Sequence, residues 1–249
     1  MQQHDIAILY SGGTDSLALY ALAMSGKLLD TPRVVNIHLL HMLNGMSRFH
    51  DFPQRRLEVA KRILTASCGT TPSPETIYVE LDMGRLFQGL WLDHYEDLMP
   101  RYGNKNLVCV ACKLGMHAKA IHYCIEHNIA FLYVGYTQKQ GFYPEQTQTF
   151  MTKLQAFSKR FGINTLFPLY EELDAKDTAR HLLEDYGLPS TGGGERKCLF
   201  CQTKTTATEA EIGAYLDDMF SRVEEYIEHK LAGRIKDAAR CFPPGRPSI

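Results

Sequence analysis

Apolar residues along the chain come in short runs separated by stretches of helical periodicity. Ile6-Ala7-Ile8-Leu9-Tyr10 closes a strand expected over 5–10, and Leu17-Ala18-Leu19-Tyr20-Ala21-Leu22-Ala23-Met24 carries a helix expected over 16–25. A buried strand is read at 34–40. A helix follows at 52–67 with Leu57, Ala60, Ile63 and Leu64 on one face, and a short strand at 77–81 after the Pro72/Pro74 turn. Residues 83–102 read as partly helical. A helix over 113–127 turns Ala118, Ile121 and Ile125 inward and leads into a strand at 129–134 that ends at Gly135. Helices at 146–161 and 175–186 flank a strand at 164–169, and Gly187-Leu188-Pro189 stops the second of them. A last helix spans 209–231, with an acidic face and a Pro-rich tail behind it. Strands alternating with helices predict the α/β class: a doubly wound, mostly parallel sheet with a C-terminal helical extension. In such a sheet a ligand sits at the carboxyl ends of the strands. The turn after the first strand, Gly135 after the fourth and the Pro168 region after the fifth are therefore expected to meet there.

The turn after the first strand is the most informative stretch. It reads Ser11-Gly12-Gly13-Thr14-Asp15-Ser16. Two glycines allow a tight turn and close approach to a ligand. The amides of the turn and of the helix start then converge on one spot that favours an anion, and Ser11 and Ser16 add hydroxyls. The G-x-x-x-x-G-K-[ST] spacing of a Walker A loop is absent.

Composition narrows the class without naming a partner. At 249 residues, with 45% hydrophobic and 22% charged, the chain can bury a large core as one domain with a short appendage. The net charge of −1 advertises no broad surface for a polyanion, although Arg55-Arg56 and Lys61-Arg62 could form a local basic patch. No run is apolar enough for a membrane span, and no secretory pattern precedes the first strand, so a cytoplasmic protein that does not bind membranes is expected. The seven cysteines are then thiols or metal ligands rather than disulfides.

Four of those cysteines form two knuckles, Cys109-Val110-Ala111-Cys112 and Cys198-Leu199-Phe200-Cys201. Two thiolates at this spacing can fold around one tetrahedral ion, and two pairs complete a Cys₄ set. Zinc is the default for a closed site of that kind, and an iron–sulfur cluster is the alternative. Lys113 and Lys197 beside the pairs should lower the thiol pKa values. Cys68, Cys124 and Cys241 read as ordinary thiols, and His117 and His122 as surface or packing residues.

The turn resembles the S-G-G-x-D-S signature of the N-type ATP pyrophosphatases, the PP-loop superfamily with its adenine nucleotide alpha-hydrolase-like fold. That resemblance implies a PP-loop domain over 1–205, with 206–249 as a C-terminal helix and tail. It further implies that ATP is split between its α and β phosphates, AMP passing to a carbonyl or carboxylate oxygen while the turn holds pyrophosphate. Ser11, Gly12, Gly13, Thr14, Asp15, Ser16 and Gly135 would bind the nucleotide. Asp15 would organise Mg²⁺, and Asp15, Ser16 and Lys176 would serve catalysis. Within the superfamily the chain resembles the 7-cyano-7-deazaguanine synthase branch in Gly141-Phe142-Tyr143-Pro144-Glu145, in Phe167-Pro168-Leu169 and in Lys176. That branch gathers its zinc ligands near the C-terminus, whereas here two stand at Cys109 and Cys112.

The chain is also similar to the tRNA thiolation enzymes, which place a C-x-x-C before the helix into the fourth strand and a third cysteine about ninety residues on. In that branch three cysteines hold a [4Fe-4S] cluster, and Cys109, Cys112 and Cys198 would match. Its Gly-His-x-x-Asp-Asp segment reads Gly135-Tyr136-Thr137-Gln138-Lys139-Gln140 here. The first resemblance implies a small deazapurine-like or other acid as substrate and ammonia as co-substrate. The second leaves tRNA open as a partner. The end of the second strand, around His38–Met42, is expected to border adenine. A nucleotide-binding module with structural zinc is the non-enzyme alternative, and the last helix could serve a homodimer.

Overall fold

The computed structural model describes residues 3–28, 33–47, 51–67, 73–137, 140–171, 178–189, 198–200 and 207–233. Five parallel strands form its sheet: β1 (Gln3–Leu9), β2 (Arg33–Leu43), β3 (Glu75–Asp82), β4 (Phe131–Val134) and β5 (Asn164–Leu166), in the order β3-β2-β1-β4-β5. The order reverses between β1 and β4. That is the place where a doubly wound sheet opens a crevice at its carboxyl edge.

The two faces of the sheet carry separate cores, as the period-2 alternation of β1 requires. Ile6, Ile8 and Tyr10 point to one side, together with Ile37 and Leu39 of β2. Against them pack α1 (Thr14–Met24), α2 (Phe52–Ser67) and α8 (Thr178–Asp185). Ala7, with Leu40, Met42, Leu132 and Val134, points to the other side. There the cover is α3 (Gly84–Leu90), α4 (Tyr95–Arg101), α5 (Val108–Glu126) and α6 (Gln148–Lys159). The last helix among the described residues, α9 (Glu209–Leu231), lies on α5 and α6. A single helical turn, α7 (Pro168–Glu171), follows β5.

Several element boundaries differ from the pattern for identifiable reasons. β2 runs three residues past Leu40, because His41, Met42 and Leu43 pair with Glu80, Leu81 and Asp82 of β3. The expected strand at 164–169 stops at Leu166. Pro168 has no amide to donate to a ladder and instead opens α7. The helix expected from 113 begins at Val108, whose amide donates to Asn106 Oδ1 at 3.1 Å. Cys109 and Cys112 therefore both stand within the first five residues of α5.

The apolar stripe of α9, Ile212, Tyr215, Leu216, Met219, Val223, Tyr226 and Ile227, is buried in the chain's own core. Thr208 and Glu211 cap the helix reciprocally, the Glu211 amide donating to Thr208 Oγ1 at 3.2 Å and the Thr208 amide to Glu211 Oε2 at 2.6 Å. Its acidic face is tied down by Lys153–Asp217 and Arg160–Glu224 pairs to α6 and by Tyr102, which donates to Asp218 at 2.6 Å. Among the described residues no helix is long and apolar enough to cross a membrane.

Candidate active site

Ser11 to Ser16 leave β1 and enter α1 at the carboxyl edge of the sheet, beside β4. Gly13 is the N-cap of α1, and no side chain caps it. The turn is held internally. The Ser11 amide donates to Ser16 Oγ, Ser16 Oγ donates to the Gly13 carbonyl and the Gly13 amide donates to Ser11 Oγ, each at 3.2 Å. The amides of Thr14, Asp15 and Ser16 stand at the amino end of an eleven-residue helix, where the peptide dipoles favour negative charge. This geometry is suited to a phosphate group.

Two glycines make the arrangement possible. Gly12 has φ +75°, and a Cβ there would meet Pro53 Cα of α2 at 2.7 Å. Gly135, just past β4, lets the chain pass against the helix start; a Cβ would lie 3.0 Å from the Asp15 carbonyl carbon and 3.1 Å from the Ser16 amide nitrogen. The first and fourth strands thus meet at the switch point, as the pattern predicts. After the fifth strand, Leu169 of α7 packs in the core that α1 covers.

Of the residues expected to border adenine, Leu40 and His41 both reach the residue before the turn, Leu40 through its carbonyl, which accepts from the Tyr10 amide at 2.9 Å, and His41 through its ring. His41 Nδ1 donates to the Tyr10 carbonyl at 3.1 Å, and the ring stacks on Tyr78. His38 does not belong there. It sits in mid-strand opposite Ala7, with Nδ1 2.9 Å from the Tyr123 hydroxyl and its ring against His127, at the carboxyl end of α5. Burial holds its pKa below the usual value for histidine, against the pull of Asp5.

Three of the four knuckle cysteines come together. An isolated antiparallel bridge joins Ser47 to Cys198, and the Leu199 amide donates to the Met46 carbonyl at 2.7 Å. This brings Cys198 beside α5, where it and Cys109 lie close enough for their charge to be felt at Cys112. Buried Asn44 is the hub. Its Nδ2 donates to Cys112 Sγ at 3.4 Å, and its Oδ1 accepts from the Met46 amide and the Ser47 hydroxyl, both at 3.0 Å. The expected thiolate character is corrected at Cys112. Burial pushes its thiol up to about 11 and outweighs the hydrogen bond from Asn44 and the neighbouring Lys113.

None of the three is in a disulfide. Among the described residues no three His, Cys, Asp or Glu side chains are disposed to hold a metal ion together. Cys201, Cys68, Cys241, Lys197 and Lys176 lie outside the described residues.

Asn44 carried a signal in the sequence only as the first residue of an Asn-Gly turn after a strand. His117 is a packing residue, fully enclosed, with Nε2 3.1 Å from the Tyr136 hydroxyl. Burial, reinforced by Lys113, drives its pKa down to about 3, so the ring is neutral. Glu145, in the turn Pro144–Gln146, is buried as well. Burial raises its carboxyl and Lys113 opposes that.

No family model matches the chain, and no curated protein matches it. Among solved structures it is similar to the U34-tRNA thiolase NcsA from Methanococcus maripaludis with its [4Fe-4S] cluster. The identity is 16%, the match covers 94% of this chain and 73% of that one, and the TM-score is 0.47. No residue role follows from a likeness of that degree.

Proposed function

We propose that the chain is an ATP-dependent adenylating enzyme of the PP-loop pyrophosphatase type. The observation that supports this most is the Ser11–Ser16 turn, packed against Gly135 at the reversal of strand order. MgATP would lie with its β and γ phosphates on the turn. Asp15 would orient the Mg²⁺, and the amides and the Ser11 and Ser16 hydroxyls would receive charge as the α–β bond breaks. Preorganised donors of this kind stabilise a leaving group without reorganisation. Lys176 is assigned a phosphate contact on resemblance alone. The acceptor in this reading is the carboxyl or carbonyl oxygen of a small deazapurine-like or other acid, and ammonia displaces AMP.

A second reading, sulfur transfer to a tRNA base, is favoured by the gathering of Cys109, Cys112 and Cys198 beside the crevice. The donor set is all thiol, which suits zinc or an iron–sulfur centre in kind; the three described cysteines are not disposed around one ion, so a centre held by them and Cys201 would require them to close up. Zinc there would supply rigidity, and a [4Fe-4S] cluster would supply a site for sulfide. Asn44 orients Cys112 in either case.

Pyrophosphate release from ATP, alone and with a panel of carboxylic acids, tests the main reading. Release that depends on one acid and disappears in Ser16→Ala supports it. Tight ATP binding with no release under any condition would leave a nucleotide-binding module. Elemental analysis and visible absorption of anaerobically purified protein separate the branches: iron with sulfide and a brown colour, or zinc without either.

A further inference from the structure

The Ser11–Ser16 turn and the cysteines are held by one stretch of chain, which joins β2 to α2. Near its start, the enclosed His41 donates to the Tyr10 carbonyl at 3.1 Å, immediately before the turn. At its end, Pro53 lies against the turn: a Cβ on Gly12 would stand 2.7 Å from Pro53 Cα and 3.4 Å from Phe52 Cδ1, which leaves no slack between them. In its middle, Asn44 donates to Cys112 Sγ, Ser47 pairs with Cys198 and the Met46 carbonyl accepts from the Leu199 amide at 2.7 Å. Asn44 Oδ1 ties that middle together through the Met46 amide and the Ser47 hydroxyl. The turn spends its donors on itself. Ser11 Oγ and Ser16 Oγ lie 3.2 Å apart, the Gly13 amide donates to the first and the Ser11 amide to the second. A phosphate draws on the same amides and hydroxyls, with charge-assisted bonds about twice as strong as neutral ones. Taking up the anion therefore replaces one bonding set by another, and Gly12 cannot shift without moving Pro53.

We propose that the stretch from His41 to Pro53 is a coupling element: phosphate on the turn seats Asn44–Ser47 more firmly against Cys112 and Cys198, so that occupancy of the turn sets the reactivity of these thiols. An anion that gathers donors from the end of β1 and the start of α1 fixes both anchors of the stretch. Lifting its middle off α5 then costs more, because a local opening must also disturb the filled turn. Linkage makes the effect reciprocal: modification of the two thiols weakens phosphate binding by the same factor. The coupling rests on the phosphate-binding part of the proposed function, and on neither the acceptor nor a metal centre.

Alkylation by iodoacetamide, followed cysteine by cysteine by mass spectrometry, tests this. Inorganic pyrophosphate is the probe, since it brings no nucleoside that could cover the thiols, and calorimetry on the same protein establishes saturation. In wild type, saturating pyrophosphate should slow labelling of Cys112 and Cys198 by about fivefold or more. His41→Phe keeps a ring against Tyr78 but loses the bond to the Tyr10 carbonyl, and Pro53→Gly gives the turn room. Each should still bind pyrophosphate, yet show less than about twofold slowing at saturation. General stabilisation of the fold by a bound anion would persist in both variants, so slowing of wild-type size in both overturns the coupling. Equal labelling of wild type with and without pyrophosphate, when calorimetry shows it bound, overturns the coupling and leaves the proposed function standing. Failure of wild type to bind pyrophosphate overturns the phosphate reading of the turn, and the coupling with it.

Discussion

Gly135 and Ser16 meet with no side chain between them: a Cβ on Gly135 would stand 3.1 Å from the Ser16 amide nitrogen. The neighbour is backbone, so it cannot swing aside as a side chain would. Gly135→Ala should therefore push the start of α1 away from β4 and spoil the phosphate site more than the fold. The expected loss is about 1–3 kcal/mol in stability, as for other overpacked positions. ATP affinity should fall by on the order of tenfold or more, about 1.4 kcal/mol per decade. Chemical denaturation and calorimetric ATP binding read the two effects separately. Unchanged ATP affinity would remove Gly135 from the site.

Gly12 and Gly45 share a φ of +75° but not their surroundings. Nothing lies within 4 Å of a Cβ on Gly45, whereas one on Gly12 meets Pro53 Cα at 2.7 Å. Gly45→Ala should cost only the left-handed strain, roughly 1–2 kcal/mol. Gly12→Ala carries that strain plus a backbone clash, about 1–3 kcal/mol more. Urea midpoints of the two variants give the difference directly, and equal midpoints would mean that α2 does not press on the turn.

The layered fold and the Ser11–Ser16 turn were legible because both depend on local signals: period-2 and helical runs for the sheet and its cover, and glycine chemistry for the turn. The Gly135 contact followed from topology, since only one crevice exists at a reversal of strand order. His38 and His41 were indistinguishable in sequence. Three residues apart on a strand, they face opposite sides of the sheet, and only His41 reaches the end of β1. Lys113 as a thiol activator misled for an energetic reason. One adjacent charge does not offset the burial of Cys112, and burial is set by helices far away in the chain. Glu145 and Asn44 matter through their enclosure, which no local pattern records.

Asn44→Ala should release the segment that carries Cys198. The asparagine satisfies Cys112, Met46 and Ser47 together, and its loss leaves the Met46 amide without its acceptor in a half-buried turn. A loss of about 1–3 kcal/mol is expected. The sharper readout is chemical. Labelling of Cys112 and Cys198 by a thiol reagent, followed by mass spectrometry, should speed up several-fold while Cys124, enclosed in the core, stays protected. Uniform acceleration of all three would indicate global loosening instead.

His117 makes the protein acid-sensitive in a defined window. Its pKa is pushed down to about 3 in the folded chain from the ordinary histidine value of 6.5, with burial as the main cause and Lys113 second. The unfolded chain therefore binds a proton between those values and the folded chain does not. The neutral ring's contribution is fully present above pH 6.5 and is lost as pH falls toward 3, by about 1.4 kcal/mol per unit. The groups around it are Tyr136, Lys113 and Glu145. Glu145 is shifted upward and acts with the opposite sign, its contribution declining as pH rises. His117→Gln keeps a hydrogen-bonding group near the Tyr136 hydroxyl and cannot ionise. At pH 7 it should be less stable than wild type by about 1 kcal/mol, for lost packing. The wild type should then lose stability faster on acidification, so that the gap narrows and reverses by pH 4.5, a relative change of about 2–3 kcal/mol. Urea unfolding of both proteins at the two pH values measures that change, and a gap independent of pH would mean that the imidazole is not held neutral.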